Sequence, residues 1–421
     1  MGKTAKKIVE TEARPSIQLT LRMPVRGQLR EIATSVGIEA LLALLEEDRV
    51  ALCGPRYARA EERTAYRHGT TRGELTLGGR RISVARPRVR STSGAELLLP
   101  TWEELSSQDA LDEHAFERML VGVSTRKYVR TLEALSSELD SRGVSKSSVS
   151  RRFIAKAEAQ AAAWLTRRLD KVDLAVLMID GLHVEGHVIV VALGIDTEGR
   201  KHVLGLREGA TENAVTCREL LSDLQERGLN TARNVLVVLD GAKALLRAVR
   251  DVFGSRAIVQ RCQAHKTRNV LEHLPEQARP SVRRALQQAY STERYETALR
   301  LLQALQGSLA RNHPGAASSL REGMEETLAI KRYRLSEKLA RTLSTTNAIE
   351  NVVGTARAVA RRVRRWINGR MVVRWTAVAM IEAEKNFHRV RDHKQLTRLV
   401  QQLRADRGGQ SPSTRVARAA A

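Results

Sequence analysis

Two apolar runs, each closed by an aspartate, restrict the folds open to this chain more than any other feature. VDLAVLMID (172–180) and HVIVVALGID (187–196) are rich in Val, Ile and Leu. They fall far short of the roughly 20 residues a membrane-spanning helix needs. Short apolar runs bounded by turn residues are buried strands. Asp196-Thr197-Glu198-Gly199 is a turn, and Lys201–Leu206 continues as a third strand, so the three predict an antiparallel meander. Thr211–Arg227 predicts a helix, with Leu220, Leu221 and Leu224 on one side and Gly228 as its stop. Asn234–Leu239 is a strand ending in Asp240, Ala242–Phe253 a helix, and Ala257–Gln260 a short strand.

The resulting order, β-β-β-α-β-α-β, is that of the RNase H-like fold, in which parallel strands are added to an antiparallel meander. The expected class is therefore α/β. From about Lys266 to Leu343 the chain is helical and charged without a strand signal, which reads as an all-helical insertion. Ser344-Thr345-Thr346-Asn347 then starts a long basic helix.

Upstream, residues 1–25 read as a flexible arm and Arg26–Asp48 as a helix. Gly78-Gly79 between the alternating runs Glu74–Leu77 and Arg81–Val84 predicts a β-hairpin decorated with arginines. Ser124 before TRKYVRTLEALSSEL, the turn at Asp140–Gly143, and Ser145 before a second long helix give helix, short turn, helix. As a helix-turn-helix, it would present Lys146, Ser147, Ser150, Arg151 and Arg152 to a major groove; as a plain αα-hairpin, the two helices would simply pack. The expected domains are 1–103 (arm, helix and hairpin), 104–170 (helix-turn-helix DNA-binding region), 171–265 (first part of the core), 266–343 (insertion), 344–406 (last part of the core and basic helices) and 407–421 (a disordered tail).

Charge narrows the partners. The 421-residue chain carries 71 Lys and Arg against 47 Asp and Glu, a net +24. A chain this basic is drawn to polyanions, nucleic acid first. A membrane surface is the weaker choice, because no segment reads as a basic helix with a broad apolar face. Half of the net charge lies beyond Asn351. There Arg357, Arg361, Arg362, Arg364, Arg365, Arg370 and Arg374 run without an acidic residue. A solvated helix face mixes signs, because like charges one turn apart repel; an unbroken basic run is better matched to external phosphates. Aromatics at 3% argue against a base-stacking platform for single strands. Three scattered cysteines give no disulfide framework, and no apolar stretch follows the N-terminal lysines. These features read as a cytoplasmic protein.

The acidic residues carry the candidate chemistry. Asp180 and Asp240 end apolar strands, where an uncompensated carboxylate is costly. Each precedes a glycine, so each also reads as a turn former. In the expected topology their strands are neighbours, and two close carboxylates repel unless a divalent cation lies between them. Glu350 is the third candidate; three residues after Asn347, it equally fits a capping box. Arg357 follows two helical turns later, in reach of a phosphate. Two Asp and one Glu suit Mg2+ or Mn2+, and a pair of such ions supports in-line displacement at phosphorus. Cys262 and His265 form a Cys-x-x-His pair, but no second pair stands at zinc-site spacing. Trp366 and Trp375, on the basic helix, read as packing residues.

The segments IDGLHVEGHVIVVALGIDTEGRKHVLGLREGATEN, VVLDGAKALLRAV, VQRCQAHKTRNVLEHLP and LSTTNAIENVVGTARAVARRVRRWINGRMVVRW resemble the Mutator-type DDE transposases of bacterial insertion sequences. The resemblance covers about residues 30–400. It implies an RNase H-like fold with a helical insertion before the last acidic residue. It also implies catalytic and metal-holding roles for Asp180, Asp240 and Glu350, two Mg2+ or Mn2+ ions per site, and Arg357 as the basic follower. Arg361, Arg364 and Arg365 would contact DNA, and Cys262 and His265 would brace the site floor rather than bind metal. The implied activity is cutting and rejoining DNA at terminal inverted repeats, by a homodimer or larger assembly. A transposase-derived DNA-binding protein that does not cut, and an RNase H-like DNA nuclease, remain alternatives. TENAVTCRELL departs from the family in lacking an aromatic near Thr216 or Cys217.

Overall fold

The computed structural model describes residues 25–57, 64–106, 108–132, 141–142, 144–184, 186–209, 214–360, 363 and 366–405. The expected N-terminal arm and C-terminal tail lie outside these residues. The chain divides into two compact units, one of residues up to Met119 with Val123–Phe153, the other of Leu120–Gly122 with everything from Ile154.

The first unit opens with helix α1 (Val25–Cys53), followed by strands β1 (Ala65–Leu77), β2 (Arg80–Ser91) and β3 (Glu96–Leu97). Helices α2 (Pro100–Ser106) and α3 (Gln108–Leu120), strand β4 (Ser141–Arg142) and the start of α4 (Lys146–Thr166) complete it. The expected hairpin is present and longer than expected. Leu77 pairs with Arg80, so Gly78 and Gly79 form a two-residue turn. Both have positive φ, +57° and +80°, as a type I′ hairpin turn requires.

The first helix expected of the helix-turn-helix is not formed in its described part. Only a 3-10 turn, Tyr128–Thr131, is present, and Leu132 is extended. Tertiary contacts outweigh local propensity here. Tyr128 is fully buried, donates its hydroxyl to the Gly79 carbonyl at 2.8 Å and meets His114 Nδ1 at 2.9 Å. Residues 133–140 and 143 lie outside the described residues. Helix α4 begins where expected, and Ser145 caps it by accepting from the Ser148 N–H at 3.3 Å.

The second unit contains a five-stranded sheet in the order β7-β6-β5-β8-β9. Strands β5 (Leu174–Val184), β6 (His187–Asp196) and β7 (Lys201–Gly209) are the expected antiparallel meander. After α5 (Ala214–Glu226), strand β8 (Val235–Leu239) joins β5 in parallel; after α6 (Lys243–Phe253), β9 (Ala257–Arg261) joins β8 in parallel. The period-two alternation of a strand assigns each residue to a face. Leu177 and Ile179 of β5, Val190 and Ala192 of β6, and Val235, Val237 and Leu239 of β8 pack with α5 and α6. Met178 and Leu182, Ile189 and Val191, and Leu236 and Val238 pack on the other face. Both faces are covered, which is why these strands read as unbroken apolar runs. Cys217 fills part of the α5 face, in the stretch that lacks the family's aromatic.

The segment between β9 and the last part of the core is helical, as expected. It comprises α7 (Gln263–Glu272), α8 (Arg279–Ser291), α9 (Tyr295–Ala310), α10 (Pro314–Arg321), a 3-10 stretch at Glu325–Tyr333, and α11 (Glu337–Leu343). It has an apolar core of its own, including Val270, Leu286, Leu302 and Leu320. Helices α12 (Asn347–Ala360), α13 (Gly369–Lys385) and α14 (Leu396–Ala405) return to the second face of the sheet. The expected single basic helix is therefore interrupted. Asn368 restarts it, accepting from the Met371 N–H at 3.0 Å, so Trp366 lies in the connection, packed against the core. No described helix is long and apolar enough to cross a membrane.

Candidate active site

Asp180 does not end its strand, as the run of apolar residues suggested. β5 continues to Val184, and Asp180 pairs with Val191 of β6. What ends there is the neighbour on its other side: Ile179 is level with Leu239, the last residue of β8. Asp240 follows directly after the last paired residue of β8, so the register carries it toward the next residue of β5, Asp180, whose carboxyl feels its charge. Asp180 lies between Met178 and Leu182, on the face that carries Ile349 and Val352 of α12. The first turn of α12 holds Glu350. Sheet register thus sets the two aspartates, and the packing of α12 brings the glutamate.

The electrostatics follow. Burial pushes the Asp180 carboxyl up to about 6, and the charges of Asp240 and Glu350 push in the same direction. The Gly181 N–H, donating to Asp180 Oδ1 at 2.9 Å, and His265 act against the rise. Asp240 Oδ1 accepts from the Ala242 N–H at 2.9 Å, so its role as a turn former is also realised. Asp180 thus feels both of the other carboxylates, although the three do not form a set whose ligand atoms all lie within 4.8 Å of one another; carboxylate oxygens are the donor type suited to Mg2+ or Mn2+.

The capping-box reading of Glu350 does not hold. Thr346, not Asn347, precedes the helix: its carbonyl accepts from the Glu350 N–H at 3.0 Å. The Glu350 side chain accepts from the Thr346 hydroxyl at 2.6 Å and lies 3.8 Å from His265 Nδ1. Among the described residues, the set with ligand atoms all within 4.8 Å of one another is Cys262, His265 and Glu350. The Cys262 sulfur is already engaged, accepting from the backbone N–H groups of His265 and Thr346 at 3.5 Å each. Burial raises the Cys262 thiol, but these bonds and His265 outweigh it and bring it down; His265 is correspondingly raised, first by its bond to Cys262. In the sequence Thr346 stands only as part of a helix-start signal. A hydroxyl one helical turn before Glu350 was the available clue.

The expected DNA-contacting residues fall into three groups. Lys146, Ser147 and Arg151 are exposed on the first turns of α4, and Ser150 is half-buried there. Arg152 is turned inward and pairs with Asp112 at 3.5 Å, its side chain 11% exposed, so its charge is met inside its own unit. Arg357 is exposed on α12. Arg361, Arg364 and Arg365 lie outside the described residues.

Comparison with known proteins matches residues 10–390 to the family model described as transposase, Mutator family. The chain belongs to the Mutator family of transposases. It is similar to the transposase for insertion sequence element IS6120 of Mycolicibacterium smegmatis, 28% identical over 322 residues that cover 71% of this chain and 97% of that one. It is also similar to the transposase for ISRM5 of Rhizobium meliloti, 27% identical over 385 residues, 87% and 93% of the two chains. With the transposase for IS256 in transposon Tn4001 of Staphylococcus aureus it shares 26% over 324 residues, 73% and 79%. The stretch matched to the Mutator family includes Asp180, Asp240, Cys262, His265, Thr346, Glu350 and Arg357.

Proposed function

We propose that the chain is a DDE transposase that binds the terminal inverted repeats of its insertion sequence and catalyses strand cleavage and strand transfer. The observation that carries this reading is the strand register. It carries Asp240 toward Asp180 at the end of a parallel ladder, with Glu350 close enough to raise Asp180. The order of the five-stranded sheet supports an RNase H-like core formed by 171–265 and 344–406, with 266–343 inserted and 1–103 and 104–170 serving the DNA ends.

In this reading Asp180, Asp240 and Glu350 hold two Mg2+ or Mn2+ ions. When bound, such ions activate the attacking oxygen and stabilise the leaving one. The chain's own residues supply position and charge. Asp180 and Asp240 are fixed by the sheet and by the N–H groups of Gly181 and Ala242. Arg357, two turns beyond Glu350 and exposed, meets a phosphate of the bound strand. Lys146, Ser147, Ser150 and Arg151 approach bases and phosphates of the end DNA. A homodimer or larger assembly brings two ends together, in the cytoplasm, where the DNA is.

The test is supercoiled DNA carrying the element ends, Mg2+ and the purified protein, with sequencing of the junctions made. Cleavage and joining at the ends are expected. Asp180→Asn is expected to abolish cleavage and leave end binding within about twofold, because it removes a metal ligand without adding positive charge. End binding with no cleavage by the wild type, in Mg2+ or Mn2+, would instead favour a DNA-binding protein that no longer cuts. Cleavage of branched DNA without joining would favour a nuclease.

A further inference from the structure

The helical insertion creates a mechanical problem for any site that uses both Asp240 and Glu350. The chain leaves the sheet at the end of β9 and builds a separate apolar core; it regains the sheet through the 3-10 stretch, where Ile330 and Tyr333 join the core of the second face and Gln260 of β9 bonds Thr327 and Ile330, before α12 begins. Glu350 therefore sits on a helix whose start is set by a segment remote in sequence from the strands. The described residues contain a polar cluster at the point where the two ends of this insertion meet. The Gln263 N–H donates to the Ser344 carbonyl at 2.9 Å, and the Cys262 N–H donates to the Leu239 carbonyl at 2.7 Å, next to Asp240. The Cys262 sulfur accepts the N–H groups of His265 and Thr346, one from each side of the insertion. Cys262 and Thr346 are both fully buried.

Thr346 Oγ1 has three neighbours: Glu350 Oε1 at 2.6 Å, His265 Nδ1 at 3.3 Å and Cys262 Sγ at 3.4 Å. A hydroxyl has one proton to give. The shortest contact, to a carboxylate that can only accept, takes it. The oxygen lone pairs then face His265 Nδ1, which donates in the tautomer or charged form that carries a proton there. The bonds run in one direction, from His265 to Thr346 to Glu350, with the Cys262 sulfur as the fixed point for both ends of the insertion.

We propose that Thr346 is a positioning residue. It aims the Glu350 carboxylate at the Asp180–Asp240 pair, and Cys262 and His265 hold Thr346 in place against movement of the helical insertion. The inference rests on the reading of Asp180, Asp240 and Glu350 as a divalent-cation site, and it extends that reading to a residue that touches neither metal nor DNA. Groups that orient a metal ligand characteristically change metal affinity by about 10–100-fold when removed.

The experiment compares full-length wild type with Thr346→Val, which keeps the shape and removes the hydroxyl, and Thr346→Ser, which keeps the hydroxyl. Mn2+ binding is read by electron paramagnetic resonance, alongside affinity for inverted-repeat DNA without metal and the Mg2+ dependence of cleavage. Thr346→Val is expected to weaken Mn2+ binding about 10-fold or more, shift the Mg2+ dependence of cleavage to higher concentration, and leave DNA affinity within twofold. Thr346→Ser is expected to restore Mn2+ binding to within about threefold of wild type. If Thr346→Val melts well below the wild type, His265→Gln carries the same test at a side chain that is 21% exposed, with weaker Mn2+ binding expected. Unchanged Mn2+ binding in Thr346→Val or His265→Gln, or a Ser variant as impaired as the Val one, would overturn the proposal. A wild type that binds Mn2+ in a Thr346-dependent way but never cuts would overturn the transposase reading and leave the positioning role standing.

Discussion

Replacing Asp180 with Asn removes a charge that the fold holds at a cost. The carboxyl is moved from 3.8 to about 6, by burial first and then by Asp240 and Glu350. A carboxyl raised in the folded state favours folding while it is protonated, and that contribution is lost as pH rises through the folded value. The rise from 3.8 to about 6 corresponds to about 3 kcal/mol at pH 8. At pH 5, between the unfolded and folded values, about half of that has been lost. Asn is neutral at both pH values, and its Oδ1 still accepts from the Gly181 N–H. The variant should therefore be more stable than the wild type in the presence of a chelator, by about 3 kcal/mol at pH 8 and roughly half as much at pH 5. For a unit of this size that is a rise in melting temperature of roughly 5–10 °C at pH 8. Thermal and urea unfolding at the two pH values measure it. A variant less stable than the wild type at pH 8, or a gain equal at pH 5 and pH 8, would refute the claim that burial of the Asp180 charge, with Asp240 and Glu350 adding to it, destabilises this position.

Three further outcomes are expected. Glu384 accepts from the Trp164 indole, both terminal nitrogens of Arg167 and the Val203 N–H, at 2.8–3.2 Å; Glu384→Ala should cost roughly 3 kcal/mol in urea unfolding, because it strands a partly buried guanidinium. Gly79 has φ +80°, and a Cβ there would lie 2.2 Å from His114 Nδ1, so Gly79→Ala should lower stability by more than about 2 kcal/mol, read by the loss of near-ultraviolet signal from Tyr128 at lower urea. Arg357→Ala should weaken DNA binding evenly across sequences and reduce the slope of log affinity against log salt by about 1, measured by fluorescence anisotropy.

The parts of the fold legible in the sequence were those with strong short-range signals. The runs around Val176 and Val190, buried on both faces, admitted one interpretation, and Gly78-Gly79 dictated its turn. The helix expected after Ser124 does not form in the described residues, because the fate of Tyr128 depends on Gly79 and His114, contacts remote in sequence. The apolar run puts Asp180 at a strand end, because a lone strand shows where apolar residues stop, not where a neighbouring strand stops. Its proximity to Asp240 is a property of register between strands. The break between α12 and α13 was signalled by Asn368-Gly369 but masked by the surrounding arginines. Arg152 looked like its neighbour Arg151; only packing against α3 distinguishes the one that meets Asp112.

The most direct test is anomalous scattering from Mn2+ in crystals of the protein with its inverted-repeat DNA. Manganese peaks lying among the carboxylates of Asp180, Asp240 and Glu350, with a DNA phosphate beside them, are expected. Manganese held by other residues while DNA is gripped, or these three carboxylates too far apart to share an ion, would contradict the account.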